Sequence, residues 1–152
     1  MIGCKGTSGG AIYSTISGTG KLTIKDQCQF TGCQATSGSG GAIYTTLSST
    51  NIQGVFISGT GKTTFSLCTA TDKGGSIYLE LGSGAETKYS LSEASYLTGN
   101  NALYGKNLFI NAKGDLQAAV PLDSTTTNTK IKLSAGSDQY ESDNLNNLMG
   151  YD

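Results

Sequence analysis

Four cysteines, Cys4, Cys28, Cys33 and Cys68, are the side chains of this chain best suited to chemistry. A structural zinc site usually takes its ligands as two close pairs, and Cys28 with Cys33 is the one close pair here. A Cys28–Cys33 bridge across a bend is the disulfide that the spacing allows, and an extracellular home would permit it. The segment Gly59-Thr60-Gly61-Lys62-Thr63-Thr64 ends like a phosphate-binding loop. The full pattern needs a glycine where Phe56 stands, and the same Ser-Gly-Thr-Gly-Lys spelling recurs at Ser17–Lys21. A spelling used twice reads as a turn.

Acid–base chemistry has few candidates. The chain has no His, so no imidazole base near neutral pH and no Ser-His-Asp or Cys-His site. Polysaccharide lyases and hydrolases built on parallel β-helices use a catalytic Arg with calcium-binding carboxylates, or clustered Asp residues. Here Arg is absent and no two acidic residues are adjacent. Asp26 with Asp72, or Glu80 with Glu86, are the carboxylates that separate coils could bring together. The sequence therefore assigns no catalytic residue, no cofactor and no metal ligand.

The elements that position these residues are set by a repeat. Gly-Gly-Ala-Ile-Tyr occurs at Gly9–Tyr13 and Gly40–Tyr44, Gly-Gly-Ser-Ile-Tyr at Gly74–Tyr78 and Gly-Lys-Asn-Leu-Phe at Gly105–Phe109. Their first glycines stand at 9, 40, 74 and 105, so the starts are 31, 34 and 31 residues apart. Such a period marks a solenoid. Each phrase follows an apolar-x-x-(Cys/Asn) phrase: Met1 to Cys4, Phe30 to Cys33, Phe65 to Cys68, Leu97 to Asn100. Three slots emerge: a Cys/Asn slot (Cys4, Cys33, Cys68, Asn100), an aliphatic slot (Ile12, Ile43, Ile77, Leu108) and an aromatic slot (Tyr13, Tyr44, Tyr78, Phe109). The repeat-turn glycines are Gly9, Gly10, Gly40, Gly41, Gly74, Gly75 and Gly105.

Gly-Gly pairs predict sharp turns through positive φ. Strands are expected over Ala11–Ile16, Ala42–Leu47, Ser76–Leu81 and Asn107–Ala112, with roughly three short strands per unit. Alternation predicts the aliphatic slot inward, and the aromatic slot outward together with Ala11, Ala42, Ser76 and Asn107. Like slots then stack into ladders. Stacked thiols point the same way, which suits a buried thiol ladder better than a bridge. An exposed row of rings could bind sugar faces, or the rings could simply stabilise one another by offset stacking.

Composition agrees. The chain has 152 residues, 22 Gly, one Pro (Pro121), 36% hydrophobic and 14% charged residues, and suits one domain. Its net charge of −1 gives no electrostatic case for nucleic acid or an anionic membrane, and its ten positive charges, all Lys, are scattered along the sequence as a solvated surface rather than a patch. No apolar run approaches the ~20 residues of a membrane span. Residues 1–15 lack a signal-peptide pattern, and Met1–Cys4 reads as the second half of a unit, so a segment of a longer protein is expected. No Asn-x-Ser/Thr sequon occurs, while the Thr-rich Asp123–Thr129 leaves room for O-linked sugar.

The paired signature Gly-Gly-Ala-Ile and Phe-x-x-Asn resembles the repeats of chlamydial polymorphic outer-membrane proteins, and similar repeats occur in very large surface proteins of some protists. Gly9–Ile12 and Gly40–Ile43 match the first half outright and Gly74–Ile77 nearly. The second half departs: Cys33 and Cys68 follow Phe30 and Phe65, and Asn100 follows Leu97. The resemblance spans residues 1 to about 112. It implies a right-handed parallel β-helix displayed outside the cell, often as an adhesin passenger.

The expectation is an all-β, right-handed, single-stranded parallel β-helix of about four coils over 1–135, with 136–152 as an acidic tail or linker. Within it, Asp115–Ala135 reads as a last, degenerate coil. The expected role is a non-catalytic repeat segment of a large cell-surface protein, extracellular, whose partner is a host-cell or matrix protein or glycan. The alternative is a structural subunit that stacks coil end to coil end into a filament. A carbohydrate-active or ice-binding helix ranks third, because Thr45-Thr46 and Thr63-Thr64 are out of phase.

Overall fold

The computed structural model describes residues 1–120, Ile131 and the backbone of Leu148–Tyr151. Among the described residues stand fourteen strands and one short helix. A first coil holds β1 (Lys5–Gly6), β2 (Ile12–Ile16), β3 (Lys21–Lys25) and β4 (Gln29–Thr31). The second holds β5 (Gln34–Ala35), β6 (Ile43–Leu47), β7 (Gly54–Ser58) and β8 (Thr63–Ser66). The third holds β9 (Thr69–Ala70), β10 (Ile77–Leu81), β11 (Tyr89–Ser90) and β12 (Ala94–Tyr96). Strand β13 (Leu108–Ala112) opens a fourth coil, and α1 (Leu116–Ala119) follows it.

Equivalent strands pair in parallel across coils. The sheets are β1-β5-β9, β2-β6-β10-β13-β14, β3-β7-β11 and β4-β8-β12, where β14 is Leu148–Tyr151. The described residues thus form a parallel β-solenoid of three complete coils, with β13 beginning a fourth. The short β1, β5 and β9 add a fourth strand to each coil that the sequence did not announce. At the start of the expected degenerate coil stands α1. The Asp115 carboxylate accepts from the Ala118 N–H at 3.1 Å, and Ala119 and Val120 join the apolar core. The Tyr89 hydroxyl donates to the Ala119 carbonyl at 2.7 Å, which ties α1 across the end of the core. Residues 121–130 and 132–135 lie outside the described residues. So does most of the expected tail, although its Leu148–Tyr151 pair in register with Leu108–Asn111.

The glycine phrase works differently at its two positions. Gly9, Gly40, Gly74 and Gly105 have φ of +61°, +68°, +63° and +63°. A Cβ at each would collide with the carbonyl oxygen three residues on, so the tight corner requires glycine. The second glycines have no positive φ, which corrects the expectation for the pair. A Cβ on Gly10, Gly41 or Gly75 would instead strike the carbonyl of Gly41, Gly75 or Lys106 in the next coil. Lys106 takes this slot in the last phrase.

Ladders fill the interior. Ile12, Ile43, Ile77 and Leu108 are register partners and point inward, as the sequence predicts. Ile43, Ile77 and Leu108 are 2%, 2% and 1% exposed, and burying each such side chain contributes roughly 1.5–3 kcal/mol. Ile24–Ile57, Leu22–Val55–Tyr89 and Ile16–Leu47–Leu81–Ala112 form parallel rows. A stacked row of rings, Phe30, Phe65 and Tyr96, occupies one wall, with centroids 5.0 and 5.7 Å apart. Tyr96, not Leu97, is the register partner of Phe65; Leu97 is exposed. The repeat alignment is therefore one residue off there.

Candidate interaction surface

The Cys/Asn slot lies inside, at a corner. Cys33 and Cys68 are fully buried, Cys4 is half-buried at the first coil, and all four cysteines are free, so no Cys28–Cys33 bridge forms. Burial pushes the Cys33 thiol up to about 11, and it pushes Cys68 up as well. Such thiols are poor nucleophiles and poor ligands.

Their work is structural. The Cys68 Sγ donates to the Phe30 carbonyl one coil below, at 3.5 Å. Asn100 Nδ2 does the same to the Phe65 carbonyl at 3.1 Å, and its Oδ1 accepts from the Cys68 N–H at 3.0 Å. Cys33 Sγ faces the Met1 carbonyl at 3.9 Å. A thiol or an amide thus serves one purpose, a donor to the carbonyl beneath it. The residue before the slot needs positive φ: Gly3, Gly32, Leu67 and Gly99 stand at +61°, +62°, +55° and +85°. Leu67 is the exception to glycine.

The small slot before the aliphatic one turns inward, contrary to expectation. Ala42 and Ser76 are fully buried, and the Asn107 Oδ1 accepts from Asn100 Nδ2 at 3.0 Å. Alternation does not reach it because regular strand begins only at Ile12, Ile43, Ile77 and Leu108.

The aromatic slot points outward and stacks. Tyr13–Tyr44, Tyr44–Tyr78 and Tyr78–Phe109 have centroids 4.9, 4.7 and 5.8 Å apart with interplanar angles of 9°, 18° and 10°. Ring faces are turned to one another. Tyr13 is 63% exposed, but Tyr78 and Phe109 are 6% and 0% exposed. A sugar would find the free face of Tyr13 and little else along this row.

Beside it, Glu80 is held by Tyr78, Asn111 and Lys113. The Tyr78 hydroxyl and Asn111 Nδ2 donate to Oε2 at 3.3 and 3.2 Å, and Lys113 Nζ lies at 3.5 Å. Burial pushes the Tyr78 hydroxyl up. Glu86 accepts from the Asp115 N–H at 3.3 Å, and backbone donors, its own N–H first, hold its carboxyl below the usual range. Asp26 receives the Thr60 N–H at 3.3 Å, and Asp72 pairs with Lys73 at 2.7 Å. The four carboxylates singled out in the sequence are engaged separately, each by partners of its own corner.

The Gly59–Thr64 segment is a turn into β8. Thr63 is buried and its hydroxyl donates to the Asp26 carbonyl at 2.9 Å, and Lys62 pairs with Glu93 at 2.9 Å. Among the described residues, no group of three or more His, Cys, Asp or Glu is placed to hold a metal ion, and no helix is long and apolar enough to cross a membrane.

The solenoid also gathers what the sequence scatters. Lys21 and Lys25 lie on β3 and Lys88 just before β11, in the same sheet. Sequence reasoning missed this, although the signal was present: Lys21, Gly54 and Lys88 are 33 and 34 residues apart, close to the repeat period. Comparison with known proteins finds no matching family model, no matching curated protein and no matching solved structure.

Proposed function

We propose that this chain is a non-catalytic repeat segment of a large cell-surface protein, extracellular, serving display or adhesion toward a host-cell or matrix protein or glycan. One observation carries the reading: the aliphatic and ring rows of the core repeat from coil to coil, while outward rows beside the aromatic ladder change. Inward rows read Ile12–Ile43–Ile77–Leu108 and Phe30–Phe65–Tyr96. Outward rows read Thr15–Thr46–Glu80–Asn111 and Gln29–Thr64–Ser95. A constant interior with a free exterior is the chemistry of a scaffold that presents side chains. The resemblance to surface-protein repeats points the same way.

The filament reading is favoured by apolar side chains of the first coil, where Ile2 and Tyr13 are 82% and 63% exposed. Two features weigh against it. Lys5, Lys21 and Lys25 sit on the edge strands of that coil, and charged edges discourage strand addition. Beyond the third coil α1 packs against the core and β14 pairs with β13, so stacking on this side would have to displace them.

Flow cytometry of cells and plate binding to matrix glycans, with the intact fluorescent chain, test the adhesion reading. Saturable binding that unlabelled chain displaces is expected. No displaceable binding to any surface would overturn adhesion.

A further inference from the structure

We propose that the outer face of the β3–β7–β11 sheet is a docking surface for an acidic polysaccharide, a glycan chain bearing sulfate or carboxylate groups. The inference rests on the adhesion reading and names its ligand class. Lys21 pairs with Gly54. Lys88 precedes Tyr89, the partner of Val55, and the Val55 N–H donates to the Lys88 carbonyl at 3.0 Å. Lys21, Gly54 and Lys88 therefore form one row along the solenoid. Two coil steps of about 4.8 Å set the two lysine positions about 10 Å apart.

Between them Gly54 carries no side chain. Its φ of +115° and the Lys88 carbonyl against it exclude any other residue. The row is thus a low notch with a cation at each end. Phe56, half-buried, forms its side wall, and Lys21 Nζ sits 5.0 Å from the ring centroid. Lys25 adds a third cation on the same strand.

The charges are unspent. Lys62, Lys73 and Lys113 each hold a carboxylate at 2.9, 2.7 and 3.5 Å. Among the described residues, no ion pair engages Lys21, Lys25 or Lys88. A molecule of net charge −1 thereby carries one face with three unneutralised cations, which focuses an attractive field for anions.

An extended acidic glycan fits best. Its charged groups recur at regular intervals along a stiff chain, as the lysines do along the solenoid, and a sugar unit can settle over a side-chain-free notch. Single-stranded nucleic acid would need a free ring face for base stacking, and Lys21 covers that of Phe56. A lipid surface would need an apolar rim, and of the exposed large apolar side chains only Ile52 adjoins this face among the described residues.

The test is equilibrium binding of the intact 152-residue chain to dextran sulfate, polygalacturonate and neutral dextran. Duplex DNA, single-stranded DNA and phosphatidylserine vesicles serve as competitors of other classes. At least one acidic polysaccharide is expected to bind at low salt, weakening as salt rises, and neutral dextran is not. Lys21→Gln with Lys88→Gln should weaken binding by about tenfold or more, while Lys5→Gln with Lys106→Gln should change it by less than about twofold. Thermal unfolding of both variants should match the parent, since these side chains are at the surface. Equal losses in the two variants, no binding to either polyanion, or equal affinity for DNA or vesicles would overturn the assignment. Cell binding that survives Lys21→Gln/Lys88→Gln would sink this inference and leave adhesion standing; absence of all cell binding would remove adhesion itself.

Discussion

At the scale of residues, the Cys/Asn slot shows how two unlike side chains occupy one position. Each offers a donor to the carbonyl of the coil below, the amide at 3.1 Å and the thiol at 3.5 Å. Cys68→Asn should therefore fold with stability within about 1 kcal/mol of the parent, while Cys68→Val, which removes the donor to the Phe30 carbonyl, should lose about 1–1.5 kcal/mol. Urea unfolding midpoints check both. Leu67 holds a left-handed conformation at φ +55° that glycine holds in the equivalent corners. Leu67→Gly should raise stability by about 1 kcal/mol, the strain such a conformation costs an L-residue.

The Cys33 thiol sets a pH dependence. Its folded value is raised from 9.0 to about 11, chiefly by burial and next by Cys68. The unfolded chain releases this proton first, so the contribution is complete below about pH 9 and is lost as pH rises toward 11. A thiol reagent at pH 8 should modify exposed Cys28 and spare Cys33 and Cys68 until the chain unfolds. Equal labelling of all the thiols in the native state would contradict the ladder.

At the scale of elements, the glycine phrase, the aliphatic slot and the β2-type strands were legible because they recur in phase at identical residues. Less was legible where the repeat degenerates. Tyr96 fills the ring slot in place of Leu97, because an extra turn residue before Asn100 shifts the phase. The two-residue strands β1, β5 and β9 are too short to leave an alternation pattern. The division of labour within the glycine pair depends on the neighbouring coil, which no local pattern records. Gly41→Ala should cost about 3 kcal/mol or more, since its Cβ would strike the Gly75 carbonyl and stand 2.6 Å from the Thr69 carbonyl. Gly18→Ala, with nothing within 4 Å of its Cβ but φ at +51°, should cost only the local strain, about 1–2 kcal/mol.

At the scale of the whole molecule, three coils of stacked ladders make a stiff body in which core rows recur and several outward rows change. The candidate surface was not legible as a site. Lys21, Gly54 and Lys88 carry no motif, and only stacking at the period puts them in one row. The aromatic slot was legible as a ladder, but face-to-face stacking leaves it few free ring faces.

Sedimentation of the purified chain over a concentration series, with and without reductant, tests the claim that this is a display segment rather than a self-stacking subunit. The account predicts one species of 15.6 kDa throughout. Mass that grows with concentration and ignores reductant would contradict it and establish coil-end stacking.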